Sequence, residues 1–218
     1  NRLAEQQGVL HRGGISMSGD GHIIPNYEFV LANGFGGMRE IAKQHLLNDQ
    51  DLSEEQIAFY EASIITMDAA LRYCKRFAKR AKEEANACGD AKRKSELLDM
   101  SQMFAHLMEG KAQSFYEAVE TVYLVHLLMM IQMKGHSFSF GRFDQYMWPY
   151  YEKDRANGML SKEKALELIT HFFIMTNSLN KVRPWDHTQY SGGYPLYSNL
   201  MVGGMKPDGG DGTNDLSY

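Results

Sequence analysis

Ser53-Glu54-Glu55-Gln56 opens a run whose apolar residues return at Ile57, Tyr60, Ile64, Met67, Leu71, Cys74, Phe77, Ala78 and Ala81. A strand repeats its faces every two residues, so this three-or-four spacing fits only a helix, held here for about eight turns. Ser53 followed three residues later by Gln56 is the reciprocal capping pattern that fixes its start. The opposite face is Lys, Arg and Glu. The basic stretch Arg72 to Lys82 is followed at once by acidic residues, so it reads as a solvated helix face rather than a nucleic-acid or membrane stripe.

The rest of the chain is arranged around similar elements. A helix is expected from about Asn26, punctuated by Gly34, Gly36 and Gly37 before it resumes. Gly89 and Asp90 end the long helix, and another is expected from about Ala91 to Met108. A third begins with Ser114 as N-cap and Glu117 in the reciprocal position, and a fourth begins at Ser161. Tyr123 to Met133 (YLVHLLMMIQM) is apolar on nearly every side and should be buried. It is too short to span a bilayer, and it contains His126 and Gln132.

Two extended segments interrupt the helices. One is His136 to Phe140 within KGHSFSFGRFDQYMWPYY; the other is the apolar run Asn199 to Val202, set between turn signals. The fold class expected is α/β, dominated by helix, with no repeat and no linker that divides residues 1–218. A net charge of −4 gives no footprint for nucleic acid. The two cysteines, Cys74 and Cys88, fit neither a metal motif nor a disulfide framework, which leaves a reducing cytosol as the expected setting. No signal peptide is expected. The chain starts at Asn1, so a processed protein or a piece of a longer one is expected.

Chemistry concentrates in the polar loops. His22, His136 and His187 each lie beside a strand candidate or among aromatics. A lone loop histidine can be a structural hydrogen-bond partner, but ligands collect at strand ends in α/β folds. No HExxH, GxSxG, GxGxxG or phosphate-binding loop is present, which argues against zinc, serine-hydrolase and nucleotide chemistry. In a regular strand Ser137 and Ser139 share one face, with His136, Phe138 and Phe140 on the other. Two hydroxyls aimed into a cavity can bind a small polyol or carboxylate, or can satisfy backbone groups at a strand end. Arg142 and Asp144 are expected to pair or to brace neighbouring loops, since buried charges need partners. Arg183 is a second bracing or anion-binding candidate. Phe143, Tyr146, Trp148, Tyr150 and Tyr151 read as core.

GHSFSFGRFDQYMWPYYEKD, then a helix, then RPWDHTQYSGGYPLYSNLMVGG, resembles the glycyl radical enzymes, in the branch of glycerol and diol dehydratases, choline lyase, hydroxyproline dehydratase, isethionate lyase and arylacetate decarboxylases. GHIIPNYEFVLANGFGGMREI, SFYEAVETVYLVHLL and GGDGTNDLSY are similar to the same family, so the resemblance covers nearly the whole chain. It implies a helix-rich part of a ten-stranded α/β barrel. Two finger loops, one with a thiyl-forming Cys and one with the radical Gly, would lie outside this chain, because neither Cys74 nor Cys88 is in a matching loop. YPLYSNLMVGG departs from the pattern expected of pyruvate formate-lyase proper.

The resemblance implies a radical dehydratase or lyase of a small hydroxylated, amine- or sulfonate-bearing substrate, by thiyl-radical hydrogen abstraction. A formate acetyltransferase-like C–C cleaving enzyme or a decarboxylase is the alternative within the family. It assigns His22 to leaving-group protonation or positioning, His136 and Ser137 to substrate contact, and Tyr194 or Tyr197 to an aromatic pocket position. No metal is expected within the chain. The implied partners are a radical SAM activating enzyme and a second copy of the protein, in the cytoplasm under anaerobic metabolism, with no membrane and no nucleic acid. Outside enzymes, a helical interaction domain would explain the amphipathic helices but not the polar strand ends.

Overall fold

The computed structural model describes Leu3 and residues 6–8, 21–133, 135–179, 189 and 196–218. The chain forms two compact units. One comprises Asn26–Val122 and Tyr146–Leu168, the other Asn1–Pro25, Tyr123–Gln145 and Ile169–Tyr218.

The first unit is helical, and its helices start where side chains cap them. In α1 (Tyr27–Asn48), Asn26 Oδ1 accepts the Phe29 N–H at 3.0 Å. The glycine-punctuated region stays within this one helix but bends at Gly34, which has φ 67°. A Cβ there would lie 2.3 Å from the Gly110 carbonyl oxygen, so both the backbone angle and the close approach demand glycine.

In α2 (Glu54–Ala87), Ser53 and Gln56 exchange both expected hydrogen bonds, at 2.9 and 3.2 Å. Its apolar stripe is covered unevenly, with the fully buried positions all from Ala70 onward. Ala70, Leu71, Cys74, Ala81 and Ala85 are buried, whereas Ile57 and Phe77 are 38% and 43% exposed. The basic face carries the surface pairs Lys79–Glu83 and Arg80–Glu84, as a solvated face should. Asp90 caps α3 (Ala91–Glu109), which packs Phe104 against Phe77 with ring centres 5.6 Å apart.

Ser114 caps α4 (Phe115–Met133), accepting the Glu117 N–H at 3.2 Å. The reciprocal bond expected of Glu117 is displaced. Its carboxylate accepts the Gln113 N–H at 2.6 Å and holds His106 Nδ1 at 2.7 Å. The Phe115 N–H donates to the buried Asp154 carboxylate at 2.7 Å.

The aromatic run after Arg142, expected only as core, is a helix, α5 (Phe143–Ala156), with Pro149 inside it. Its Tyr146, Met147, Tyr151 and Asp154 return at helical spacing and are buried. Tyr146 stacks on Tyr27 at 5.5 Å. Ser161 caps α6 (Lys162–Asn177) through the Lys164 N–H, as its sequence implies.

The second unit is organised by extended chain. β1 (Gly141–Arg142) pairs in parallel with β2 (Leu200–Met201), Gly141 opposite Leu200. On the other side of the same segment, Ile23 and Phe138 form a parallel bridge. Three parallel segments therefore lie side by side, with residues 136–142 in the centre. Both extended candidates lie in this strip, but the regular pairing of the first falls just beyond His136–Phe140, at Gly141–Arg142, with a single bridge at Phe138, while that of the second is Leu200–Met201. Its backing is aromatic: Phe140 and Phe143 pack on Phe172 with centroids 5.0 and 5.3 Å apart.

Arg142 and Asp144 brace loops rather than each other. Arg142 Nη1 donates to the Met205 carbonyl at 2.5 Å. Asp144, fully buried, accepts the Gly203 N–H at 2.6 Å and the Ser217 hydroxyl on the same oxygen. The Gly-rich C-terminal loop is thereby tied to the end of β1. Among the described residues, no helix is long and apolar enough to cross a membrane.

Candidate active site

The strip brings its polar residues together through unusual backbone angles. His22, Ser137 and Tyr197 have φ of 59°, 59° and 55°, in the left-handed region that non-glycine residues seldom adopt. Such angles cost on the order of 1–3 kcal/mol each and collect where a site needs a particular side-chain direction. Ser137 shows the effect most clearly. A regular strand would turn His136 away from Ser137. The left-handed turn at Ser137 breaks that alternation, and both residues line the same cavity.

That cavity has a volume of about 560 Å³ and is walled by His22, Ile23, Ile24, His136, Ser137, Ser139, Tyr197 and Asn199. The His22 and His136 rings meet edge to face, with centroids 4.8 Å apart and planes at 79°. His136 and Tyr197 make a second edge contact at 6.2 Å. Backbone bonds fix these positions. His22 N–H donates to the His136 carbonyl at 3.1 Å, Ser137 N–H to Leu196 at 2.7 Å, and Ser139 N–H to Ile23 at 3.0 Å. Gly21 permits the first of these. A Cβ on it would lie 1.8 Å from the His136 carbonyl oxygen.

Four residues singled out in the sequence, His22, His136, Ser137 and Tyr197, thus share one cavity. Tyr194, with Arg183 and His187, lies outside the described residues. Sequence reasoning gives Asn199 no role beyond a strand; its position two residues beyond Tyr197, on the same strand face, is the signal that marks it as a wall residue. The wall offers imidazole, hydroxyl, phenol and amide groups beside two isoleucines. It can hold a small molecule that is polar along one edge and aliphatic along the other. Among the described residues, no group of three or more His, Cys, Asp or Glu is placed to hold a metal ion.

The opposite face of the strip borders a second cavity of about 230 Å³, lined by His126, Phe140, Phe173, Thr176, Asn177, Leu196, Ser198 and Leu200. His126 is 1% exposed and its Nδ1 has no partner among the described residues. Burial pushes its pKa down to about 4, which keeps the ring neutral.

Known proteins are similar to this chain in sequence and fold. The sequence profile of the pyruvate formate lyase-like family matches residues 2–218. A probable dehydratase of Escherichia coli, YbiW, is 35% identical over 98% of this chain and 28% of its own length. The isethionate sulfite-lyase of Bilophila wadsworthia is 34% identical over 89% of this chain and 24% of its own. The glycerol-bound form of the B12-independent glycerol dehydratase of Clostridium butyricum superposes with a TM-score of 0.86 and 41% identity. That match covers 92% of this chain and 26% of the dehydratase. The chain spans about a quarter of the length of these relatives.

Proposed function

This chain belongs to the pyruvate formate lyase-like family of glycyl radical enzymes, and from that premise we propose that the whole protein is a radical dehydratase or lyase of a small hydroxylated substrate. The observation that carries the reading is the convergence of His22, His136, Ser137 and Tyr197 on one cavity. Hydrogen abstraction is supplied by a thiyl and glycyl pair carried elsewhere in the polypeptide, within the ten-stranded barrel that this chain helps to build. The residues of this chain bind, orient and exchange protons.

Ser137 is buried at 5% exposure, and its main chain is fixed to Leu196. Its hydroxyl holds one substrate oxygen and so sets which C–H faces the abstracting group. His22 protonates or positions the departing group, since loss of hydroxide is unfavourable without a proton donor. The edge contact from His136 fixes the ring of His22, and His136 also contacts substrate. Tyr197, or Tyr194, supplies the aromatic wall. The partners are a radical SAM activating enzyme and a second copy of the protein, in an anoxic cytoplasm.

The test is turnover by the activated full-length enzyme under anoxia, on a panel of diols, triols and hydroxysulfonates, with a 2-oxo acid and an arylacetate as C–C cleavage substrates. The expected result is elimination from at least one member, with His22→Phe lowering kcat at least about 100-fold. Turnover of none, or of C–C cleavage substrates alone, would overturn the reading.

A further inference from the structure

We propose that Asn199, held by Ser139, is a specificity-determining residue that reads a third polar group of the substrate, beyond the two that an elimination itself requires. The inference rests on the dehydratase reading above.

Several groups on this wall are already occupied. The Asn199 carbonyl accepts the Phe140 N–H at 2.7 Å. Its own N–H donates to Ser139 Oγ at 3.2 Å. Both main-chain groups of Asn199 are therefore engaged by the central segment, and the exposed side-chain amide is what the residue presents to the cavity. Ser139 is similarly fixed. Its N–H donates to Ile23, and its hydroxyl oxygen accepts from Asn199, which leaves the hydroxyl hydrogen to be donated.

Strand geometry separates this pair from the groups assigned to the reaction. Ser139 lies two residues beyond Ser137 on the same face, and Asn199 two residues beyond Tyr197. Each step of two residues advances about 6.6 Å along a strand. Three adjacent substituted carbons extend a comparable distance. A molecule held at Ser137 and His22 therefore presents its far end to Ser139 and Asn199. The amide both donates and accepts, so it suits a hydroxyl, which does the same.

Glycerol and 1,2-propanediol differ only in that third hydroxyl and provide the test. The full-length activated enzyme is assayed on both, and the ratio of kcat/KM for glycerol over 1,2-propanediol is compared among variants. Asn199→Ala is expected to lower the ratio about tenfold, the usual loss when one hydrogen bond to substrate is removed. Asn199→Asp keeps the shape, removes the donor and lowers the ratio by less; it serves where the alanine variant fails to fold. Ser139→Ala lowers the ratio in the same direction. A ratio within twofold of wild type in the folded Asn199 variants overturns this inference and leaves the dehydratase reading standing. A wild-type enzyme that turns over neither compound overturns it as well, and the panel above then decides the wider reading.

Discussion

Gly21→Ala is expected to lower kcat/KM of the activated full-length enzyme by at least about 100-fold. The cause is space. The new Cβ would sit 1.8 Å from the His136 carbonyl oxygen, well inside van der Waals contact. That oxygen is main chain and cannot swing aside like a flexible side-chain end. It also accepts the His22 N–H, so the clash falls on the bond that sets one histidine against the other. Relief requires the 21–24 segment to move away from the central one, and an error of about 1 Å in a reacting group is enough for a loss of that size. Overpacking of this kind also costs about 1–3 kcal/mol of stability. Gly89→Ala is the control, because a Cβ there meets nothing within 4 Å. Steady-state kinetics with thermal unfolding of both variants checks the claim. A Gly21→Ala enzyme with wild-type kinetics would refute the packing of the strip.

His126 governs the second large effect, on stability against pH. An exposed histidine titrates near 6.5, while burial holds this one at about 4. Between those values the unfolded chain binds a proton that the native state refuses. Stability from this group is therefore fully present above pH 6.5 and is lost as pH falls toward 4. The shift corresponds to about 3 kcal/mol. Glu120 acts in the opposite sense. The density of protein around its carboxyl pushes its pKa up to about 7, so its native state holds a proton that the unfolded chain releases between 4.5 and 7. The two slopes oppose one another, and a wild-type curve alone hides both. The stability difference between wild type and His126→Leu isolates the first. The leucine variant should gain about 3 kcal/mol on wild type between pH 7.5 and pH 4, by chemical denaturation at each pH. A difference independent of pH would mean that His126 titrates alike in the folded and unfolded chain, with no shift from burial.

Much of the helical architecture is legible in the amino-acid sequence itself. Capping signals are local, so Asn26, Ser53, Asp90, Ser114 and Ser161 mark helix starts through a few neighbouring residues. Where a distant partner intervenes, the local signal misleads. Glu117 gives up its expected bond because His106 and the Gln113 N–H compete for the same carboxylate. The α2 stripe shows which residues can be buried, but which turns are covered depends on what packs there. The helix α5 is obscured by Pro149 and by aromatic residues whose weak helical preference is overridden by burial of Tyr146, Met147 and Tyr151.

The site follows the same division. Motif resemblance points to His22, His136, Ser137 and Tyr197. The alternation rule misdirects His136, because nothing local in His-Ser-Phe announces a left-handed residue at Ser137. That angle comes from two neighbours distant in sequence, Leu196 on one side and Ile23 on the other, which hold the central segment between them. Asn199 carries only the weak signal of its spacing from Tyr197. Its importance lies in the register between residues 136–142 and 196–201, which a single sequence does not specify.

The central claim is that one face of this strip holds the substrate. A crystal structure of the full-length enzyme with glycerol or 1,2-propanediol bound tests it directly. The account predicts one substrate hydroxyl within about 3 Å of Ser137 Oγ and the neighbouring hydroxyl within hydrogen-bond reach of His22. Substrate bound elsewhere, with His22 and Ser137 both out of contact, would contradict it.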